Sequence, residues 1–218
     1  MKTVNLYTKQ PINSIYELEL TDSITNNEIY IRLHMKDISD SFLEKYSLFT
    51  KMAEKIIPHP KHIKYPIWCS VSKSNCLKPT DNEVVYCLEV PIDEVIYFDS
   101  LKWNYVLNNI YIPKDYNDKI NFLKKLNEID LKNSYTLFSE KNGGLYPKLE
   151  NEIKRSWKRI FKIDDWNEFT VQANLWQIKK EWVKYIIKPG ENFHEITKDM
   201  KNTFPPKFRK IYYSKRFD

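Results

Sequence analysis

The sequence predicts an α+β fold in which small mixed or antiparallel sheets are flanked by helices. Three observations carry that expectation. Short apolar runs closed by proline or polar turns recur along the chain. Residues 83–113 read as strand, turn, strand and capped helix. Apolar stripes at helical spacing occupy residues 39–57, 115–130 and 148–162.

Residues 4–8, VNLYT, form a first short strand that ends near Gln10-Pro11, where proline stops regular pairing. Residues 12–27 carry a weak pattern consistent with a short helix and a turn through Thr25-Asn26-Asn27. In residues 28–34, EIYIRLH, apolar and polar side chains alternate, which predicts a strand with Ile29, Ile31 and Leu33 inward and Arg32 and His34 on the wetter side. The helix over 39–57 has a capping-box pattern at Ser41 and Glu44, a stripe of Phe42, Tyr46, Phe49, Ala53 and Ile56, and a stop at Pro58.

A loop containing His59 and His62 leads to a strand over 65–71. With Cys69 and Cys76 beyond, these histidines suggest zinc, but the cysteine pair lacks the tight C-x-x-C spacing of such sites, so no metal is expected. Residues 72–82 read as a surface loop. Val84, Val85, Cys87, Leu88 and Val90, closed by Pro91, predict a largely buried strand, and a second strand covers 95–98. Asp99-Ser100 then caps a helix whose Leu101, Trp103, Val106, Leu107 and Ile110 recur at helical spacing.

The helix over 115–130 points Ile120, Leu123 and Leu126 inward, and residues 134–144 are irregular. In the helix over 148–162 the inner stripe is Leu149, Ile153, Trp157, Ile160 and Phe161. Arg155, Arg159 and Lys162 share another face, the candidate nucleic-acid surface, although a solvated helix face explains the same charges. Residues 169–178 predict a strand with Gln172, Asn174 and Trp176 on one side, and a further strand follows over 182–187. Two amides and an indole on one side suit either a polar ligand or a buried hydrogen-bond network. Residues 192–202 predict a helix. A basic tail, 201–218, closes the chain. The expected organisation is one α+β domain over 1–190 with a C-terminal helix and basic tail over 191–218.

Composition narrows the classes. Three glycines among 218 residues leave no glycine-rich phosphate loop, and neither a dinucleotide fingerprint nor a Walker pattern is present. No apolar run is long enough to cross a bilayer, and the start MKTVNLYTKQP lacks an apolar core region, so a cytoplasmic protein with reduced Cys69, Cys76 and Cys87 is expected. Residues 1–109 hold 12 Lys/Arg against 14 Asp/Glu, and residues 110–218 hold 23 against 15, so the basic character belongs to the second half.

Several motifs together carry a resemblance. Leu6-Tyr7-Thr8-x-Gln10, Tyr65-Pro66-Ile67-Trp68, Leu88-Glu89-Val90-Pro91 with Phe98-Asp99 and Trp103, Ser156-Trp157 with Ile160-Phe161, and Val171-Gln172-Ala173-x-Leu175-Trp176 occur in this order. That order resembles a bacterial family known as domain of unknown function 3841, over roughly residues 4–187. A fainter resemblance is to the ADP-ribosyltransferase fold, in particular bacterial toxins that modify nucleic acid. It implies NAD as cofactor, with Tyr7, Thr8, Gln10, Tyr65 and Trp68 at the dinucleotide and Gln172 and Asn174 at the catalytic positions. Asn174 stands where that fold carries a glutamate, and an amide lacks the negative charge that stabilises a developing ribosyl cation. Glu181 is the substitute carboxylate the sequence offers, and a degenerate nucleotide binder is the reading that needs none. The implied setting is a toxin or a phage-defence component. The competing class is a non-catalytic nucleic-acid-binding or protein-interaction module.

Overall fold

The computed structural model describes residues 2–139 and 141–205, with His34 described by its backbone. In chain order the strands and α-helices are β1 (Thr3–Pro11), α1 (Ser14–Thr21), β2 (Ser23–Thr25), α2 (Glu28–Met35), α3 (Ser39–Ala53), β3 (Ile67–Ser70), β4 (Glu83–Pro91), β5 (Ile96–Asp99), α4 (Ser100–Leu107), α5 (Tyr116–Asn127), α6 (Pro147–Ser156), β6 (Val171–Leu175), β7 (Gln177–Lys179), β8 (Val183–Ile187) and α7 (Phe193–Ile196). The fold is α+β. A six-stranded sheet has the order β5-β6-β3-β1-β4-β8, and β2 and β7 form a separate antiparallel pair. The β1–β3, β1–β4, β3–β6 and β4–β8 pairings are antiparallel.

The chain divides into two compact units, Met1–Tyr97 with Asp165–Asp218, and Phe98–Asp164. In the first, β4 is the buried centre. Val84, Val85, Tyr86, Cys87, Leu88 and Val90 have no exposed surface, as a near-continuous apolar run requires of a strand covered on both faces. β1 follows it for its full length, from Thr3 opposite Pro91 to Pro11 opposite Glu83. The one polar tip in this centre is satisfied internally. Ser14 Oγ donates to the Pro11 carbonyl at 2.6 Å, which leaves the Tyr86 hydroxyl to donate to Ser14 Oγ at 2.9 Å.

The segment expected as a strand over 28–34 is helix α2. Its alternation is real, but Asn27 accepts the Tyr30 N–H at 3.1 Å as an N-cap, and Glu28 pairs with Arg32 one turn on. Both are helix-specific contacts. Ile31 is buried, while Ile29 and Leu33 are exposed, so a two-residue period never had a sheet face to match. Of the stripe expected over 39–57, Tyr46, Phe49 and Ala53 are buried in α3, Phe42 is half-buried, and Ile56 is buried just beyond the helix, which ends at Ala53. The capping box does not. A 3-10 turn over Lys36–Ile38 runs straight into α3, so Ser41 lies inside the helix. The strand expected over 169–178 is broken between Leu175 and Gln177 into β6 and β7, which serve different sheets. The C-terminal helix shortens to α7, whose first turn is closed by Asn192 Oδ1 accepting from the His194 and Glu195 N–H groups. Most of the expected basic tail, residues 206–218, lies outside the described residues.

In the second unit, Asp99 caps α4 by accepting the Lys102 N–H at 3.0 Å, and Trp103 and Val106 face inward. α5 buries Phe122 and Leu126, with Leu123 left exposed. α6 buries Ile153 and passes at Ser156 into a 3-10 turn over Trp157–Phe161, so the amphipathic segment is two pieces. The tighter turn brings Trp157, Ile160 and Phe161 into the core together. Trp157 Nε1 donates to the Ile110 carbonyl at 2.9 Å, and Ser156 Oγ accepts the Ile112 N–H at 3.0 Å.

Candidate functional site

The candidate site is a cleft in the first unit that opens where two neighbouring strands part. β1 and β3 pair at a single position, Tyr7 opposite Ser70. Beyond it β1 continues along β4 through Thr8, Lys9, Gln10 and Pro11, and Trp68 and Ile67 of β3 pair with β6 on the other side. The split leaves a hollow of about 420 Å3, within the range of small-molecule sites. One polar relay spans it. Gln10 Nε2 donates to Thr8 Oγ1 at 2.8 Å, and Thr8 Oγ1 donates to the Trp68 carbonyl at 2.7 Å. Gln10 therefore keeps its amide oxygen for another partner.

The walls are apolar and aromatic. Trp68 lies 5.1 Å, ring centre to ring centre, from both Tyr46 and Phe49, so α3 holds the indole in place. Tyr46, Tyr30, Ile31 and Met35 complete this side. Gln172 stands opposite Ser70 on β6, is exposed, and makes no side-chain hydrogen bond among the described residues. Lys9 and Glu83 flank the mouth and are paired at 2.5 Å. Burial pushes the Tyr46 hydroxyl up to about 12 and the Cys76 thiol up to about 12, with Lys9 opposing the latter shift, so both lining groups are neutral at pH 7.

Five of the residues expected at a ligand, Tyr7, Thr8, Gln10, Trp68 and Gln172, line this one cleft. Tyr7 contributes little of its ring. It is 2 % exposed and packs 5.9 Å from Phe193 in a cluster with Val85, Cys87, Ile187 and Met200. Burial, the largest cause, together with Cys87 and Cys76, raises its hydroxyl far above the ordinary tyrosine value. Tyr65 is buried behind the cleft: it is bridged to Asn26, which lines the hollow, but is not itself part of the lining. Asn174 also lies outside the lining. It has no exposed surface, its Nδ2 donates to the Ile67 carbonyl at 3.3 Å, and its Oδ1 has no partner.

The reason is geometric. Asn174 is directly opposite Trp68, the position that α3 covers with Tyr46 and Phe49. Trp176, in the bend after β6, is sealed separately by the segment that follows α3, where its Nε1 donates to the Ile57 carbonyl at 2.9 Å and its ring lies 4.8 Å from His59. Gln172 and Asn174 share a side of β6, which does not extend to Trp176 because the strand breaks there, and the covering helix leaves Gln172 open. Glu181 is exposed on the 3-10 turn Lys180–Trp182 and is not part of the lining, where the carboxylate is Glu83. Lys9, Glu83, Tyr46, Tyr30, Met35 and Asn75 were not legible as site residues, because each reads locally as strand, helix or loop.

Residues 5–184 match the model of a family described as Domain of unknown function (DUF3841). The chain belongs to the DUF3841 family. No curated protein and no solved structure matches it.

The basic candidates of this DUF3841 protein lie in its second unit and have different fates. Arg159 is committed to structure: one guanidinium nitrogen, Nη1, donates to the Ile112 carbonyl and to Asp118 Oδ2, the latter at 3.2 Å, and the group lies over the Tyr111 ring. Arg155 and Lys162 are exposed, on either side of the transition from α6 to the 3-10 turn. Among the described residues no helix is long and apolar enough to cross a membrane, and no His/Cys/Asp/Glu group has a metal-holding arrangement.

Proposed function

We propose that this DUF3841 protein is a nucleotide-binding protein of ADP-ribosyltransferase-like design, with NAD as its first candidate ligand, and that it holds the nucleotide without breaking the glycosidic bond. The observation that carries the proposal is the convergence of Thr8, Gln10, Trp68 and Gln172 on one hollow at the split between β1 and β3. These residues come from three strands, and only the tertiary fold assembles them. An indole backed by two aromatic rings suits the flat face of a base, and the amides of Gln10 and Gln172 suit ribose hydroxyls or a ring carboxamide.

Binding without turnover follows from the carboxylates. Breaking the bond between nicotinamide and ribose develops positive charge at the ribose, which a nearby carboxylate would stabilise. Asn174 is an amide and is sealed, Glu181 is outside the cleft, and Glu83 is already engaged by Lys9. Titrating the full chain with NAD while following its melting temperature tests the binding. A ligand at a hundred times its Kd adds about 2.7 kcal/mol of stability, a readily measured rise. Gln172→Ala removes an exposed side chain and should weaken binding about fivefold, the loss of roughly one hydrogen bond. No rise at millimolar NAD would end the proposal, and release of nicotinamide would overturn its non-catalytic half.

A further inference from the structure

The charges lining the cleft bear on which part of a nucleotide it can hold. Among the described residues of the lining, Lys9 and Glu83 are the side chains charged at neutral pH, and they neutralise one another at 2.5 Å. Thr80 Oγ1 also donates to Glu83, so the carboxylate is fixed in that pairing from a second direction. Among the described residues no arginine lines the hollow. The helix that contributes Tyr30, Ile31 and Met35 offers no ready anion site at its start, because Asn27 already accepts the Tyr30 N–H and Glu28 places an acidic group in the first turn. A pyrophosphate brings about two negative charges that are best met by cations, and among the described lining residues the one cation, Lys9, is held by Glu83. What the hollow does supply is an aromatic wall and neutral amides and hydroxyls.

We infer that the cleft recognises a nucleoside, the base and ribose of the nucleotide, and gains nothing from the phosphates, which lie outside the hollow. The inference rests on the nucleotide reading above and deepens it. The paired lysine acts as a selectivity device: while Glu83 holds Lys9, a phosphate placed nearby meets a neutral pair, one oxygen of which repels it. Such specificity arises by withholding an attraction rather than by adding one.

Calorimetric titration of the full chain with adenosine, AMP, ADP-ribose and NAD, at about 50 and 300 mM salt, tests this. Adenosine should bind within about threefold of AMP and ADP-ribose, with affinities that do not fall as salt rises, because uncharged contacts are not screened. Glu83→Gln releases Lys9 and should tighten AMP and ADP-ribose about tenfold relative to adenosine, the scale of one charge-assisted bond, and make that gain salt-sensitive. Phosphate-bearing ligands that bind the native protein tenfold or more tightly than adenosine would overturn the inference and leave the nucleotide reading standing. Absence of binding by all four would overturn both.

Discussion

Arg159 separates a structural role from a nucleic-acid role, and the structure sets the size of the effect. Its guanidinium bonds Asp118 at 3.2 Å, also donates to the Ile112 carbonyl, and lies 5.4 Å from the centre of the Tyr111 ring, which itself stacks on Phe122 at 3.9 Å. Arg159→Ala deletes all three contacts. A hydrogen bond to a charged group contributes about 1.5–3 kcal/mol, and a cation over an aromatic face about 0.5–1 kcal/mol. Asp118 keeps the Lys114 N–H at 2.7 Å and the Tyr111 hydroxyl at 2.9 Å, so it is not stranded and the loss falls toward the lower end. The expected cost is about 2–3 kcal/mol, which lowers the melting temperature of a chain of this size by about 4–12 °C. Urea unfolding of the wild type, Arg159→Ala, Asp118→Asn and the double variant gives the coupling directly. That coupling should reach about 1 kcal/mol, because the two side chains share one bond network. Arg159→Lys should recover only part of the loss, since an ammonium cannot stack as a planar group over Tyr111 while bonding both oxygens. A stability change under about 0.5 kcal/mol, the usual span of a neutral surface substitution, would refute the structural assignment and return Arg159 to the pool of available cations.

Two further outcomes follow from ionisation and burial. Burial, the largest single influence on Asp118, pushes its carboxyl upward, but the Lys114 N–H, the Tyr111 hydroxyl and the Arg159 charge together hold it below the ordinary aspartate value. Because the folded group is the stronger acid, its contribution is fully present above the unfolded value of about 3.9 and is lost as pH falls through the folded value. The urea midpoint should therefore fall as pH is lowered from 5 toward 3, by less in Asp118→Asn; equal slopes in the two proteins would contradict this. Burial likewise pushes Cys69 upward and Cys87 to about 12, and neither has appreciable exposure; Cys69 and Cys76 both line the cleft, but of the three thiols Cys76 is the part-exposed one. Maleimide at pH 7 should modify the native protein slowly and at Cys76 alone, with all three thiols reacting in urea, and saturating NAD should slow Cys76 further. Rapid native labelling of Cys69 or Cys87 would contradict the burial.

What the sequence determined by itself was the set of elements whose local signals agree. The apolar run of β4, the Asp99 cap of α4 and the stripe of α3 need no partner to be read, because length, capping chemistry and period all point one way. Where signals compete, the local reading failed. The alternation in EIYIRLH favours a strand, and the cap from Asn27 with the Glu28–Arg32 pair favours a helix; the helix forms because both of its contacts are made within the segment itself, whereas a strand needs a neighbouring edge. That Gln172 and Asn174 share one side of β6 was legible from their two-residue period. Which of the two meets solvent was not, since that depends on α3, about 130 residues earlier in the chain, whose Tyr46 and Phe49 pack on Trp68 opposite Asn174 and leave Gln172 open. The cleft itself has no local signature, because it exists where β1 and β3 cease to pair, and a gap between strands is a property of two segments sixty residues apart rather than of either one.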